Sequence, residues 1–203
     1  APGMARLIAV VFLPFAGGYF LSYLFRSTNA VIAPQLTAQI GEEFAAHHQY
    51  LAIAAHYESM TLPQLAGFFY RQAAEERGHA MMMVQYMLDR DIPVTIPAVP
   101  APEARFSGPA DALRLALEQE KQVTRQIEDM FQAARAESDP LGEQFMLWFL
   151  REQVEEVATM TTLQTIAERA QGNLFDLENF VERELNVAEG SDATAPPAAG
   201  GNL

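Results

Sequence analysis

The 203-residue chain contains no cysteine and a single tryptophan, and its 13 Lys and Arg are outnumbered two to one by 26 Asp and Glu. Without cysteine there is no disulfide framework, iron–sulfur cluster or thiolate zinc site. Any bound metal must therefore be held by carboxylate, imidazole or amide oxygen. The formal net charge of −13 argues against sequence-independent grip on nucleic-acid phosphates, so no nucleic-acid partner is expected. Strand signals are missing as well, since no segment shows sustained period-two alternation flanked by turns. With 50% apolar and only 19% charged residues, the chain is too apolar to be disordered throughout. Its length suits one domain, or one domain and an appendage.

Acids are also missing from residues 1–35, whose only charges are Arg6 and Arg26. Between Leu7 and Phe25 lie 19 uncharged residues, about 28 Å if helical and close to the ~30 Å hydrocarbon core of a bilayer. Pro14 and Gly17-Gly18 interrupt this run. Met4, preceded by Ala1-Pro2-Gly3, resembles a start residue. Three readings stand open for residues 1–35: a fusion or gene-model scar, a membrane anchor or signal, or a helix packed on protein. A membrane partner is expected only if residues 7–25 are a real anchor. The stretch from Met4 to about Gly41, most clearly NAVIAPQLTAQIG, resembles the first transmembrane segment of a major-facilitator transporter.

From about residue 36 the periodicity is helical. Leu36, Ile40, Phe44, Leu51 and Ala55 form one stripe on a helix A over 36–61, closed by Thr61-Leu62-Pro63. Pro63 opens a helix B that runs to about Arg90. The segment 92–108 holds Pro93, Pro97, Pro100 and Pro102 and is read as a long extended connection. Helix C follows over about 109–137, and helix D from Pro140 to about Gln171. A short amphipathic helix E covers 174–185. Residues 187–203, rich in Ala, Gly and Pro, read as a flexible tail. The fold class is all-α: two hairpins joined by one long crossover, a four-helix bundle with a short fifth helix.

Acids sit on otherwise apolar faces of all four long helices: Glu43 on A, Glu76 on B, Glu120 on C and Glu156 on D. His79 and Gln153 share faces with Glu76 and Glu156 at i,i+3 spacing. Counted along the helices, Glu43 lies about 18 residues from the A–B turn, Glu76 about 13, and Glu120 about 11 from the start of C. At ~1.5 Å per residue these groups meet within roughly two turns. Carboxylates in one apolar layer must be protonated, paired with a base or bound to a cation, because desolvating each ion costs several kcal/mol. Arg77 and Lys121 each follow one of these acids directly and point about 100° away around the helix. Arg151, two residues before Gln153, is similarly misplaced, so a metal is the economical counter-charge. One His with several carboxylates suits iron or manganese better than structural zinc.

The blocks EEFAAHHQY, AAEERGHAMM, LEQEKQVT and FLREQVEEV stand in that order, with intervals of 33, 44 and 33 residues between Glu43, Glu76, Glu120 and Gln153. By these blocks the stretch 36–186 resembles a bacterial non-haem ferritin of the actinobacterial type. The resemblance implies that Glu43, Glu76 and His79 hold a first iron. Glu76 would bridge to a second iron held by Glu120 and Glu156. It further implies that Gln153 orders a water or dioxygen, that Tyr50 stands beside the centre, and that Glu75, Glu152 and Glu155 form a third, looser iron site. The implied activity is ferroxidase: Fe²⁺ oxidised by dioxygen or peroxide at a diiron centre and stored as ferric mineral in a cytoplasmic homo-oligomer of 24 subunits. Helix E would gather in fours around one axis of that shell. Helix D reads QVEE in place of the second ExxH of bacterioferritins and rubrerythrins, so the symmetric two-His centre is not implied; nor is a haem, because Arg77 stands where a bacterioferritin would carry its haem-ligating methionine. A non-storing diiron peroxidase or oxygenase of the same fold is the alternative.

Other candidates have plainer readings. His47 is an edge histidine or an outer neighbour of the centre, while His48 and His56 are structural or solvent-facing. Met81-Met82-Met83 and Met87 fill core or subunit contacts. Trp148 is core or a neighbour of the iron site. Asp139 and Glu143 are candidates for a three-fold pore, with only Glu143 at a pore position by motif.

Overall fold

Pro63, Pro109 and Pro140 each occupy the first position of a helix, where a missing N–H costs nothing. The computed structural model describes residues 8–170, 173–186 and 192–201, and every regular element among them is helical. A π-helical turn, Ile8–Phe12, leads into α1 (Leu13–Ser59), followed by α2 (Pro63–Asp89), α3 (Pro109–Ala136), α4 (Pro140–Arg169) and α5 (Leu174–Phe180). The last continues as a π-helical turn, Val181–Leu185. Helices α1 and α2 form one hairpin and α3 and α4 the other. Helix α1 also packs on α3, and α5 docks against α2 and α4.

The three long helices before α4 end alike. Thr61, Asp91 and Ser138 adopt left-handed φ of 60°, 56° and 56°. In each case the next N–H reaches back five residues: Leu62 to Tyr57 O, Ile92 to Met87 O and Asp139 to Ala134 O, at 2.9–3.0 Å. These are Schellman closures made without glycine, and they satisfy the last carbonyls of each helix.

The crossover after Asp91 is pinned to α1. Gln49 exchanges two hydrogen bonds with the Glu103 backbone, both 2.8 Å, and the Tyr57 hydroxyl donates to Pro109 O at 2.7 Å. Gly41 permits the approach: a Cβ there would lie 2.8 Å from Pro97 Cγ. At the end of the bundle where Tyr57 meets Pro109, Glu178 of α5 accepts the Gln64 and Leu65 N–H groups at 2.9 Å, capping α2.

Two differences from the sequence expectations stand out. Helix α1 begins at Leu13 and runs through 35/36 unbroken, with Pro34 inside it. One interior proline removes a single backbone bond, and the burial of Ile32, Leu36 and Ile40 in the bundle holds the helix across it. The transporter likeness of residues 4–41 thus finds no support. No helix among the described residues is long and apolar enough to cross a membrane. The tail, in turn, does not stand off the bundle. Ala199 is buried and its N–H donates to Met81 O at 3.0 Å, and Asp192 accepts the Trp148 indole N–H at 2.9 Å. Residues 1–7, the Gln171-Gly172 helix end, and 187–191 and 202–203 of the tail lie outside the described residues.

The core has two apolar halves. One gathers Leu36, Ile40, Met83, Met87, Ile127 and Met146; the other gathers Tyr50, Ile53, Leu65, Phe69, Leu113 and Leu163. Between them in sequence on every long helix stand buried acids, Glu43 on α1, Glu76 with His79 on α2, Glu120 on α3 and Glu156 with Gln153 on α4, and Gln39 is buried one turn before Glu43.

Candidate metal centre

Four helices deliver these side chains because each acid sits on its helix's apolar stripe, where packing of the stripe turns it inward. Glu43, Glu76 and His79 bring ligand atoms within 4.8 Å of one another, and so do Glu76, Glu120 and Glu156. Glu76 belongs to both groups, so two cation positions would share one carboxylate. His79 Nδ1 lies 3.5 Å from Glu76 Oε2 and 3.9 Å from Glu156 Oε1.

Glu43, Glu76 and Glu156 each keep one oxygen bare, whereas both oxygens of Glu120 are engaged. Gln39 Nε2 donates to Glu43 Oε1 at 2.9 Å, Tyr50 donates its hydroxyl to Glu120 Oε1, and Gln153 Nε2 donates to Glu156 Oε2. The Thr124 hydroxyl stands 2.8 Å from Gln153 Oε1 and orients that amide. Left over are Glu43 Oε2, Glu76 Oε1 and Glu156 Oε1, all buried without a hydrogen-bond partner. Buried carboxylate oxygens rarely stay unpaired. Among the described residues no Lys or Arg forms an ion pair with these four acids, and Lys121 and Arg151 are exposed. The donor set, four carboxylates and one imidazole, fits a pair of divalent cations that prefer oxygen and nitrogen.

The electrostatics agree. Burial, followed by the nearby Glu76 charge, pushes Glu43 well above the usual carboxylate range. Glu156 is raised well above it too, by burial and then by Glu76 and Glu120. Burial lifts Glu120 to about 7 against the hydrogen bond of Gln153. For His79, burial favours the neutral ring, but Glu76, Glu75 and Glu152 outweigh it and the net shift is upward. Without a cation this layer holds protons it would otherwise release.

The remaining candidates fall in distinct places. Tyr50 is buried beside Glu120. Glu75, Glu152 and Glu155 line a cavity of about 440 Å³ that also touches Glu156, Glu184 and Asp192. His47 Nδ1 contacts Ala73 O at 2.5 Å and ties α1 to α2; His48 is exposed, and His56 packs on Phe106. Trp148 is buried edge-on to His79, ring centroids 5.7 Å apart, so it is a direct neighbour of a candidate ligand. Asp139 corrects the pore expectation: it is buried in an ion pair with Arg90 at 2.7 Å. Glu143 pairs with Arg135 at 3.0 Å. Sequence reading passed over Gln39 and Thr124, although each lies four residues from an acid on the same face, a spacing that signals contact. Asp192 and Glu184 carried no local signal at all.

Residues 33–170 match the profile of the ferritin-like domain. The chain is 59% identical over 165 residues to ferritin BfrB of Mycolicibacterium smegmatis, covering 81% of this chain and 91% of that protein. It is 37% identical over 127 residues to the bacterial non-heme ferritin of Staphylococcus aureus, covering 63% and 76% respectively. The open-pore ferritin of the archaeon Archaeoglobus fulgidus superposes with a TM-score of 0.72 at 26% identity, covering 75% of this chain and 95% of that one. Sequence and fold agree over most of the length, and this chain is a member of the ferritin family.

Proposed function

We propose that the protein stores iron: it oxidises Fe²⁺ at the paired centre of Glu43, Glu76, His79, Glu120 and Glu156 and deposits Fe³⁺ as mineral inside a shell of 24 copies. The observation that carries this reading is the sharing of Glu76 between two triads whose buried oxygens lack partners. Two Fe²⁺ held side by side give up one electron each. Dioxygen takes both, with two protons, to become hydrogen peroxide; hydrogen peroxide takes both, with two further protons, to become two molecules of water. Raising the charge of each ion strengthens its hold on anionic oxygen, so the carboxylates favour the oxidised product over the reactant. Protons displaced from Glu43, Glu120 and Glu156 as Fe²⁺ binds are available to the reduced oxygen. Gln153 presents its amide to Glu120 and Glu156 and would position water or oxygen over the second ion. The reading involves no haem and places the protein in the cytoplasm.

The shell is supported by apolar side chains that this chain alone leaves uncovered, including Phe175 of α5, 81% exposed, and Leu141 of α4, 61% exposed. Such groups await a partner surface, and a second copy supplies one. The test is aerobic Fe²⁺ addition to the wild type and to Glu76→Ala, followed by absorbance and light scattering. A fast oxidation phase lost only in the variant, on a particle near half a megadalton, is expected. Equal rates would reject the paired centre. A dimer of roughly 45 kDa that still oxidises Fe²⁺ would favour a non-storing peroxidase or oxygenase.

A further inference from the structure

The two hairpins meet along a seam between α1 and α3, and a pocket of about 170 Å³ opens in it. Gln39 and Glu42 of α1 and Gln126, Asp129 and Met130 of α3 are among its lining residues, none of which is basic. Met130 and Gln39, 2% and 3% exposed, form its floor, while Asp129 stands at the surface and Glu42 is half-buried. The floor borders the metal layer, because the Gln39 side chain that lines the pocket also donates to Glu43 Oε1 at 2.9 Å. One hydrogen bond therefore separates the pocket from the paired centre. A second observation points to what the pocket takes. Gln126 Oε1 is buried without a hydrogen-bond partner, and so is Oε1 of Gln119, seven residues earlier on the same face of α3, with Glu120 between them in sequence. Buried acceptors rarely stay without a donor or a cation. A pocket lined by amide and carboxylate oxygens, with no basic side chain, draws in a hydrated cation and repels an anion.

We propose that divalent cations reach the paired centre through this pocket: Glu42 and Asp129 gather the hydrated ion at the mouth, Gln126 Oε1 replaces a water of its shell, and Gln39 hands it to Glu43. The pocket is a passage and not a resting place. Two carboxylates and a few amides hold an ion more weakly than the four carboxylates and imidazole beneath them, so the ion moves inward toward the greater negative charge. The passage runs through the wall of one chain, whereas the pore suggested by Glu143 lies between chains. Its cargo, Fe²⁺, rests on the storage reading; the passage itself rests on the pocket and its unpartnered oxygen.

The test follows Zn²⁺ uptake by the assembled, metal-free protein, in stopped flow with a chromophoric Zn²⁺ indicator and at equilibrium by calorimetry. Ala38 lines the pocket and is exposed, so Ala38→Trp fills the mouth. Uptake is expected to slow by about tenfold or more, with the number and affinity of the tight sites and the thermal midpoint unchanged, because an obstacle on the path slows entry and escape alike. Glu42→Gln/Asp129→Asn is expected to slow uptake and to flatten its dependence on ionic strength. Wild-type uptake in Ala38→Trp overturns the proposal. So does equal slowing in Glu58→Gln/Glu137→Gln, exposed acids that do not line the pocket, because attraction then belongs to the whole surface. If Ala38→Trp disturbs the tight sites, the salt dependence of Glu42→Gln/Asp129→Asn decides: a wild-type slope overturns the passage. Fe²⁺ that enters by this path without being oxidised would end the storage reading and leave the passage standing.

Discussion

Gln39 holds one oxygen of Glu43. Its side-chain amide, one helical turn earlier on α1, donates to Glu43 Oε1 at 2.9 Å, and Oε2 is left as the unpartnered atom. The amide thereby selects which oxygen faces the rest of the triad. Gln39→Leu keeps the volume but loses the donor, and a hydrogen bond to a charged group is worth about 1.5–3 kcal/mol. The fast phase of Fe²⁺ oxidation is expected to slow by about tenfold. Stopped-flow absorbance checks this, and an unchanged rate would show that Glu43 needs no second anchor.

Tyr50 and Glu120 couple the proton to the metal. A hydroxyl donor favours the charged carboxylate, so Tyr50→Phe raises the Glu120 carboxyl further above its value of about 7. A proton then competes longer with the cation. Zn²⁺ uptake by the metal-free variant is expected to have its midpoint shifted to higher pH by about half a unit to one unit. A shift toward acid pH would contradict the role given to the hydroxyl.

Stability of the metal-free protein follows from the same shift. A carboxyl whose folded value lies above its unfolded value stabilises the fold fully below pH 4.5, and that contribution is lost as pH rises through about 7. For Glu120 the difference amounts to about 3 kcal/mol. The metal-free wild type is expected to melt lower at pH 8 than at pH 5.5, with a shallower slope in Glu120→Gln and recovery at pH 8 on adding Zn²⁺. Parallel slopes in a thermal scan would place the titrating group elsewhere.

Arg90 and Asp139 join α2's end to the start of α4. Arg90→Ala strands a buried carboxylate, which typically costs 3–5 kcal/mol. Urea denaturation should show that loss, and Fe²⁺ oxidation by the folded variant should stay at the wild-type rate. A variant of unchanged stability would mean that the buried Asp139 does not depend on Arg90.

Helical periodicity and three prolines made the bundle readable from residues alone, because both act within one or two turns. The same locality made the layer of Glu43, Glu76, Glu120 and Glu156 countable: a fixed rise per residue converts sequence distance into height along the helix. It failed where a distant contact outweighs a local preference. Periodicity starts helix A at residue 36, yet the packing of Ile32 and Leu36 carries α1 through Pro34 from the segment before it. Asp139, at the start of a helix, reads as a candidate for a pore, and only the arrival of Arg90 from α2 makes it an interior ion pair.

What chain order and composition settled was therefore the class of fold, the level at which acids cluster and the kind of metal they suit. Which oxygen of Glu43 and of Glu156 is engaged, and which is left bare, was decided by Gln39 and Gln153 meeting their partners in three dimensions, as was the double engagement of Glu120 by Tyr50 and Gln153. The same holds for Asp192, brought beside Glu152 by an indole 44 residues away in sequence. Secondary structure is set by neighbours along the chain, whereas the bonding state of a buried charge depends on every group that reaches it through space.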